Sequence, residues 1–271
     1  MPEVNKDIAK ILGDWPHGIG SNVRCIVGSD GLEKIQIRVC IDSFHGLLQF
    51  ECDGRPDGLR PHEKEFYLDH LEEKRRLLLA GGAPGTAFRL TKRQCQKLFE
   101  ESSMVYHRYV LLLQLGDYNR VIRDTSRNMR LFRFVHEHAQ DSKDKMHLEC
   151  WWPYILRIHF TAIAMQHLSE GRIDASLEGI ETCRKRLAAL EPMENETFKH
   201  EFTRSLEALT QMDKEIRNRK PMSESEKLQS DLKQAVAEER YEDASKLRDM
   251  LKNIDAPGKT APPSEGPPKL A

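Results

Sequence analysis

Only one stretch of this chain carries a hydrophobic period of two, and that limits how much sheet it can form. Between Val23 and Cys52, the residues Ile35, Ile37, Val39 and Ile41 alternate with Gln36, Arg38 and Cys40. That alternation places four apolar side chains on one face of a half-buried strand. Val23–Val27 precedes it across a turn holding Asp30-Gly31, and Leu47–Cys52 follows a break at His45-Gly46. The three runs predict an antiparallel β-meander. Asp53-Gly54-Arg55-Pro56-Asp57-Gly58 then sets two turn signals back to back, and beyond it the pattern is helical. The sequence therefore predicts an α+β chain that is mainly α.

A first helix is expected from about His62–Lys64 to Leu79, stopped by Gly81-Gly82. Thr91 and Gln94 form a capping box for a helix reaching Leu115. Gly116-Asp117-Tyr118 interrupts it, and a second helix runs to about His138. The same layout returns about 55 residues later as Trp151–Leu168, Gly171-Arg172-Ile173-Asp174 and Ala175–Leu190. The pair resembles degenerate tetratricopeptide-type hairpins, with Ala164 as the small residue where two such helices cross and the bulkier Tyr109 at the equivalent place. A helix around Glu196–Arg219 ends before Pro221. The expected domains are 1–88, a small α+β unit with the sheet; 89–220, a helical-hairpin bundle; 224–254, an α-hairpin; and 255–271, a Pro/Gly-rich disordered tail.

Charge narrows the partners. Lys+Arg of 42 against Asp+Glu of 43 leaves a net −1, so no global basic field holds nucleic acid. The start of the chain lacks the pattern of an export signal, and no run of about 18 apolar residues occurs, so a membrane-free, cytoplasmic protein is expected. Six scattered cysteines without a C-x-x-C pair read as reduced thiols.

The densest pattern lies at the C-terminus. Leu228, Leu232, Ala235 and Val236 fall on one helical face, and Ala244, Leu247, Leu251 and Ile254 on one face of a second helix. The polar break Glu238–Tyr241 joins them. The run from Glu226-Lys227-Leu228 through Glu239-Arg240-Tyr241-Glu242-Asp243-Ala244 to Leu247-Arg248-Asp249 resembles the UVR motif, the helical hairpin shared by the excision-repair proteins UvrB and UvrC. The resemblance implies protein–protein docking, in coiled-coil fashion, with another UVR-type hairpin or as a homodimer. Such hairpins also occur in bacterial protease-chaperone systems, so DNA repair and protein quality control are both implied settings. The body is similar to bacterial UVR-motif proteins through Gly46–Gly58 and Arg123–Asn128, a likeness that implies no activity. Eight acidic and six basic residues give 224–254 a net −2, which disfavours direct contact with phosphate. About thirty residues bury too little surface to stand alone. The candidate docking seam is Leu228, Leu232, Ala235, Val236, Tyr241, Ala244, Leu247, Leu251 and Ile254.

Other candidates weigh less. Arg120, Arg123, Arg127, Arg130 and Arg133 share one helix face opposite Val121, Ile122, Met129, Phe132 and Val135. Charge runs on helices are usually solvated surface, paired here with carboxylates of a neighbouring helix. The alternative is an anion site, with Arg120, Arg123, Arg127 and Arg130 gripping phosphates in a nucleic-acid accessory factor. Arg55, Asp57 and Arg60 form a possible binding edge, although turn chemistry explains their composition. His136, His138, His147 and Cys150 are metal-ligand types, but 136 and 138 point apart on a helix, so no metal is expected. Trp151-Trp152 and Tyr106 with Tyr109 are expected in the core rather than around a pocket. Gly18-Ile19-Gly20 lacks the rest of a dinucleotide fingerprint, and no phosphate-loop, H-E-x-x-H or G-x-S-x-G motif occurs. The expectation is a non-catalytic adaptor without cofactors.

Overall fold

A computed structural model describes residues 7–15, 22–42, 44–219 and 224–255, the side chains of 224–226, 230 and 252–255 excepted. A short helix α1 (Ala9–Gly13) leads into strands β1 (Val23–Val27), β2 (Glu33–Ile41) and β3 (Phe44–Glu51). There follow α2 (Tyr67–Ala80), α3 (Lys92–Leu115), α4 (Tyr118–His138), α5 (Ser142–Glu149), α6 (Trp152–Ser169), α7 (Ile173–Ala188), α8 (Glu196–Arg219), α9 (Glu224–Ala237) and α10 (Tyr241–Asp255). The chain divides into two compact units, 1–217 and 218–271. The boundary expected near residue 88 falls inside the first unit. Residues 256–271, expected to be disordered, lie outside the described residues. Among the described residues no helix is long and apolar enough to cross a membrane.

The sheet is the expected antiparallel meander, in the order β1-β2-β3. Its second turn falls between Ile41 and Phe44, which pair with each other, so His45-Gly46 lies within β3 rather than at a break. The apolar face is covered only at one end. Ile35 is fully buried, whereas Ile41 is 62% exposed. The polar face is less solvated than alternation predicts, because Arg24, Gln36 and Gln49 hydrogen-bond across all three strands and Arg24 stacks on Trp15 beside α1. Under Ile35 sit Val105, Tyr109 and Leu112 of α3, Val121 of α4, and Ile158 and Ala162 of α6. A second core lies among α2 to α8, with α4 between α3 and α6.

The capping box at Thr91 forms as expected, with Gln94 N–H donating to Thr91 Oγ1 and Thr91 N–H to Gln94 Oε1. Two local readings change. Helix α2 begins at Tyr67, later than expected, and α5 was not anticipated from periodicity. Helices α3/α4 and α6/α7 form the two expected hairpins.

Both hairpins close on one turn, and the α9/α10 hairpin repeats it. At Gly116, Gly171 and Glu239 the backbone is left-handed, with φ of 76°, 74° and 58°. The next N–H reaches back five residues, Asp117 to Leu112, Arg172 to His167 and Arg240 to Ala235, at 2.9, 2.9 and 2.8 Å. These are Schellman closures, in which a left-handed residue lets the last carbonyls of a helix be satisfied. Glycine takes that conformation without steric cost, and glutamate does not. Glu239→Gly should therefore stabilise its hairpin by about 0.5–1 kcal/mol, read by amide exchange in α9 and α10, whereas Gly116→Ala should cost about 1–2 kcal/mol by urea unfolding.

Candidate functional site: an arginine face and a C-terminal hairpin

The arginine face of α4 lies along the protein surface, with Arg127 buried, Arg120 partly buried and Arg123, Arg130 and Arg133 exposed. Arg127 is 8% exposed, and its guanidinium lies 3.8 Å over the Phe66 ring while it bonds Glu101. Burial lowers its pKa, with Glu101 acting in the opposite sense. Glu101, on α3, is fully buried and also accepts from the N–H groups of Tyr67 and Leu68 at 2.7 and 3.2 Å. It thus supplies the N-terminal cap that α2 lacks locally, since Phe66 offers no capping oxygen. This explains the late start of α2. Arg55 turns inward as well, to Asp57 and Glu101.

Sequence reasoning missed Arg108, because it stands alone on α3 with no charge pattern around it. It is fully buried and holds Asp124 of α4 through two parallel bonds of 2.7 and 2.9 Å. Its remaining nitrogen donates to the carbonyls of Glu51 and Gly54 at 3.1 and 2.6 Å, fixing the loop that leaves β3. Arg123 donates to the Cys52 carbonyl at 2.7 Å and pairs with Asp53 and Asp124. Arg120 pairs with Asp53, Glu33 and Asp117. Arg130 pairs with Asp69 at 2.5 Å and lies 3.4 Å from Glu72. The face is thus paired with carboxylates, those of α2 and α3 included, and only Arg127 is withdrawn from water. These four arginines join the sheet loop and α2 to α4, and the guanidinium forks a phosphate would use already hold carboxylates.

The other candidates stay separate. His136 lies 3.3 Å from Glu149, His138 packs against Phe88 and Phe134, and His147 packs against Phe99. Among the described residues no group of three His, Cys, Asp or Glu is placed to hold a metal. Tyr109 is core, but Tyr106 and Trp151 are 39% and 40% exposed, against expectation. Both lie at the rim of a cleft.

In the C-terminal hairpin Ala235, Ala244 and Leu251 are buried, while Leu228, Leu232 and Leu247 are half-buried. Val236 is 51% and Tyr241 67% exposed. The side chain of Ile254 lies outside the described residues. The shared turn gives a register for comparison. Three residues before the left-handed residue stand Leu113, Leu168 and Val236, and two after it stand Tyr118, Ile173 and Tyr241. Leu113 and Tyr118 pack on one core and Leu168 and Ile173 on the other. Val236 and Tyr241 are the members of each set left bare.

Residues 224–256 match the model of the UVR family, the UvrB/uvrC motif. No curated protein and no solved structure matches the chain.

The buried pair gives a double-mutant cycle. Arg108→Met should cost about 3–5 kcal/mol because Asp124 stays buried and keeps only its single bond from Arg123. Adding Asp124→Leu should return about 1–3 kcal/mol as coupling, measured by urea unfolding. Asp53 gives a pH dependence: its hydrogen bond from Arg120, assisted by Arg123, holds its pKa at about 2. An unfolded aspartate titrates near about 4, so the stabilisation is present above that and fades as the pH falls toward 2. The stability gap between the natural chain and Asp53→Asn should shrink over that window.

Proposed function

We propose that this protein is a non-catalytic adaptor whose UVR hairpin docks a helical hairpin of the same kind, on a partner protein or on a second copy. The observation that carries this reading is the bare pair Val236 and Tyr241. In the two hairpins of the body, the residues at the same turn positions are covered by neighbouring helices and the sheet. A hairpin of this length has only Ala235, Ala244 and Leu251 buried among its described side chains, which is too little apolar surface for independent stability. An apolar face of another hairpin supplies the cover that the body hairpins obtain within the chain. Burying a tyrosine and a valine at the centre of such a contact contributes roughly 1.5–3 kcal/mol per side chain.

The family match, to the UvrB/uvrC motif, supports docking as the mode of contact. The net −2 of residues 224–254 argues for a protein partner over nucleic acid. Exchange of a few hydrogen bonds at the polar rim would set register, while the apolar centre sets affinity.

The test replaces the two exposed residues and leaves the hairpin's own buried positions untouched. The double variant Val236→Asp/Tyr241→Asp should keep its helical circular dichroism, yet lose both self-association in sedimentation and co-purification of the partner. The same sedimentation profile and the same co-purifying protein in both chains would overturn the proposal.

A further inference from the structure

A cleft of about 550 Å³ opens on the body between α3, the α5–α6 junction and α8. Its size is that of a site for a small organic ligand, roughly 300–1,000 Å³. The floor is apolar and closed, with Tyr109, Leu148 and Ile155 each 5% exposed or less. Aromatic rings stand around it. Tyr106 meets Tyr109 edge-on at 5.6 Å and Tyr154 at 5.8 Å, and Trp151 meets Tyr154 edge-on at 6.3 Å. These contacts hold the rings in place while Tyr106 and Trp151 remain 39% and 40% exposed. Half-exposed rings bordering a cavity form a stacking surface.

Charge selects the ligand. The one carboxylate in the lining, Glu201, has a side chain only 8% exposed and accepts from Arg157 at 3.2 Å. Arg157 also lies over the Tyr154 ring at 5.1 Å, so Glu201 is neutralised and the cationic partner of that ring is already in place. Arg204, at the rim with a side chain 61% exposed, forms a looser ion pair with Glu201 at 3.6 Å. Two guanidinium groups thus face one carboxylate, which leaves one positive charge in excess at the mouth. We propose that this cleft binds a small flat aromatic molecule carrying one negative group, its ring lying among Tyr106, Trp151 and Tyr154 and its anion on Arg204. A cationic ligand is disfavoured by Arg157 and Arg204 together.

The proposal is independent of hairpin docking, since every residue it uses lies in residues 1–217. Calorimetric titration of the full chain compares three probes with one ring system: 1-naphthalenesulfonate, 1-naphthalenemethanol and 1-naphthylmethylammonium. The sulfonate should bind one-to-one and tightest, and the ammonium weakest. Arg204→Ala should weaken the sulfonate about fivefold and leave the alcohol unchanged, as expected for one partly exposed ion pair. Ser103 is exposed on the same lining, and Ser103→Trp should fill the cleft and abolish binding of all three. Absence of sulfonate binding at about 1 mM, a preference for the ammonium, or unaltered binding in Ser103→Trp would overturn the assignment.

Discussion

Two carboxylates shut away from water, Glu101 and Asp124, join the small sheet to the helices around it. An isolated buried carboxylate costs several kcal/mol, so each demands a full set of donors in fixed positions. Glu101 obtains them from the first turn of α2 and from Arg127, and Asp124 from the paired nitrogens of Arg108. Because Arg108 also holds the carbonyls of Glu51 and Gly54, the loop leaving β3 has one favourable seat on α3. Apolar packing alone would tolerate small slides of sheet against helix. The ion pairs penalise such slides, since moving any partner leaves a charge unsatisfied.

Three helical hairpins share a single turn. A left-handed residue closes α3 onto α4, α6 onto α7 and α9 onto α10, with the same backward hydrogen bond each time. The common turn also fixes which residues flank each hairpin's tip. In the body those residues meet other elements of the chain. At the C-terminus they stay bare, so the local structure is the same and only the surroundings differ. Of the apolar seam, Ala235, Ala244 and Leu251 are already buried, whereas Val236 and Tyr241 are exposed.

The aromatic residues take a role that their pattern does not imply, and the arginines take one of the two that theirs allows. A row of guanidinium groups on one helix can pair with carboxylates or hold anions, and here it meets Asp53, Asp69, Glu101 and Asp124. Tyrosine and tryptophan in apolar helices suggest core, yet Tyr106 and Trp151 stay half-exposed around a cleft. In both cases the residue type was legible and the surroundings were not.

Local features were readable from the sequence because their physics is local. Period-two alternation identified the strand of Ile35, the Thr91–Gln94 box identified the start of α3, and the glycine turns identified both body hairpins. The C-terminal hairpin was legible for the same reason, as two apolar faces within one short run. The partners of the arginines were not, because Arg123 meets Asp53 across 70 positions and Arg130 meets Asp69 across 61. The start of α2 was misplaced because its cap comes from Glu101, 34 residues away. A sequence states which side chains can pair, whereas burial decides which of them must, and burial is settled only when distant segments are packed together.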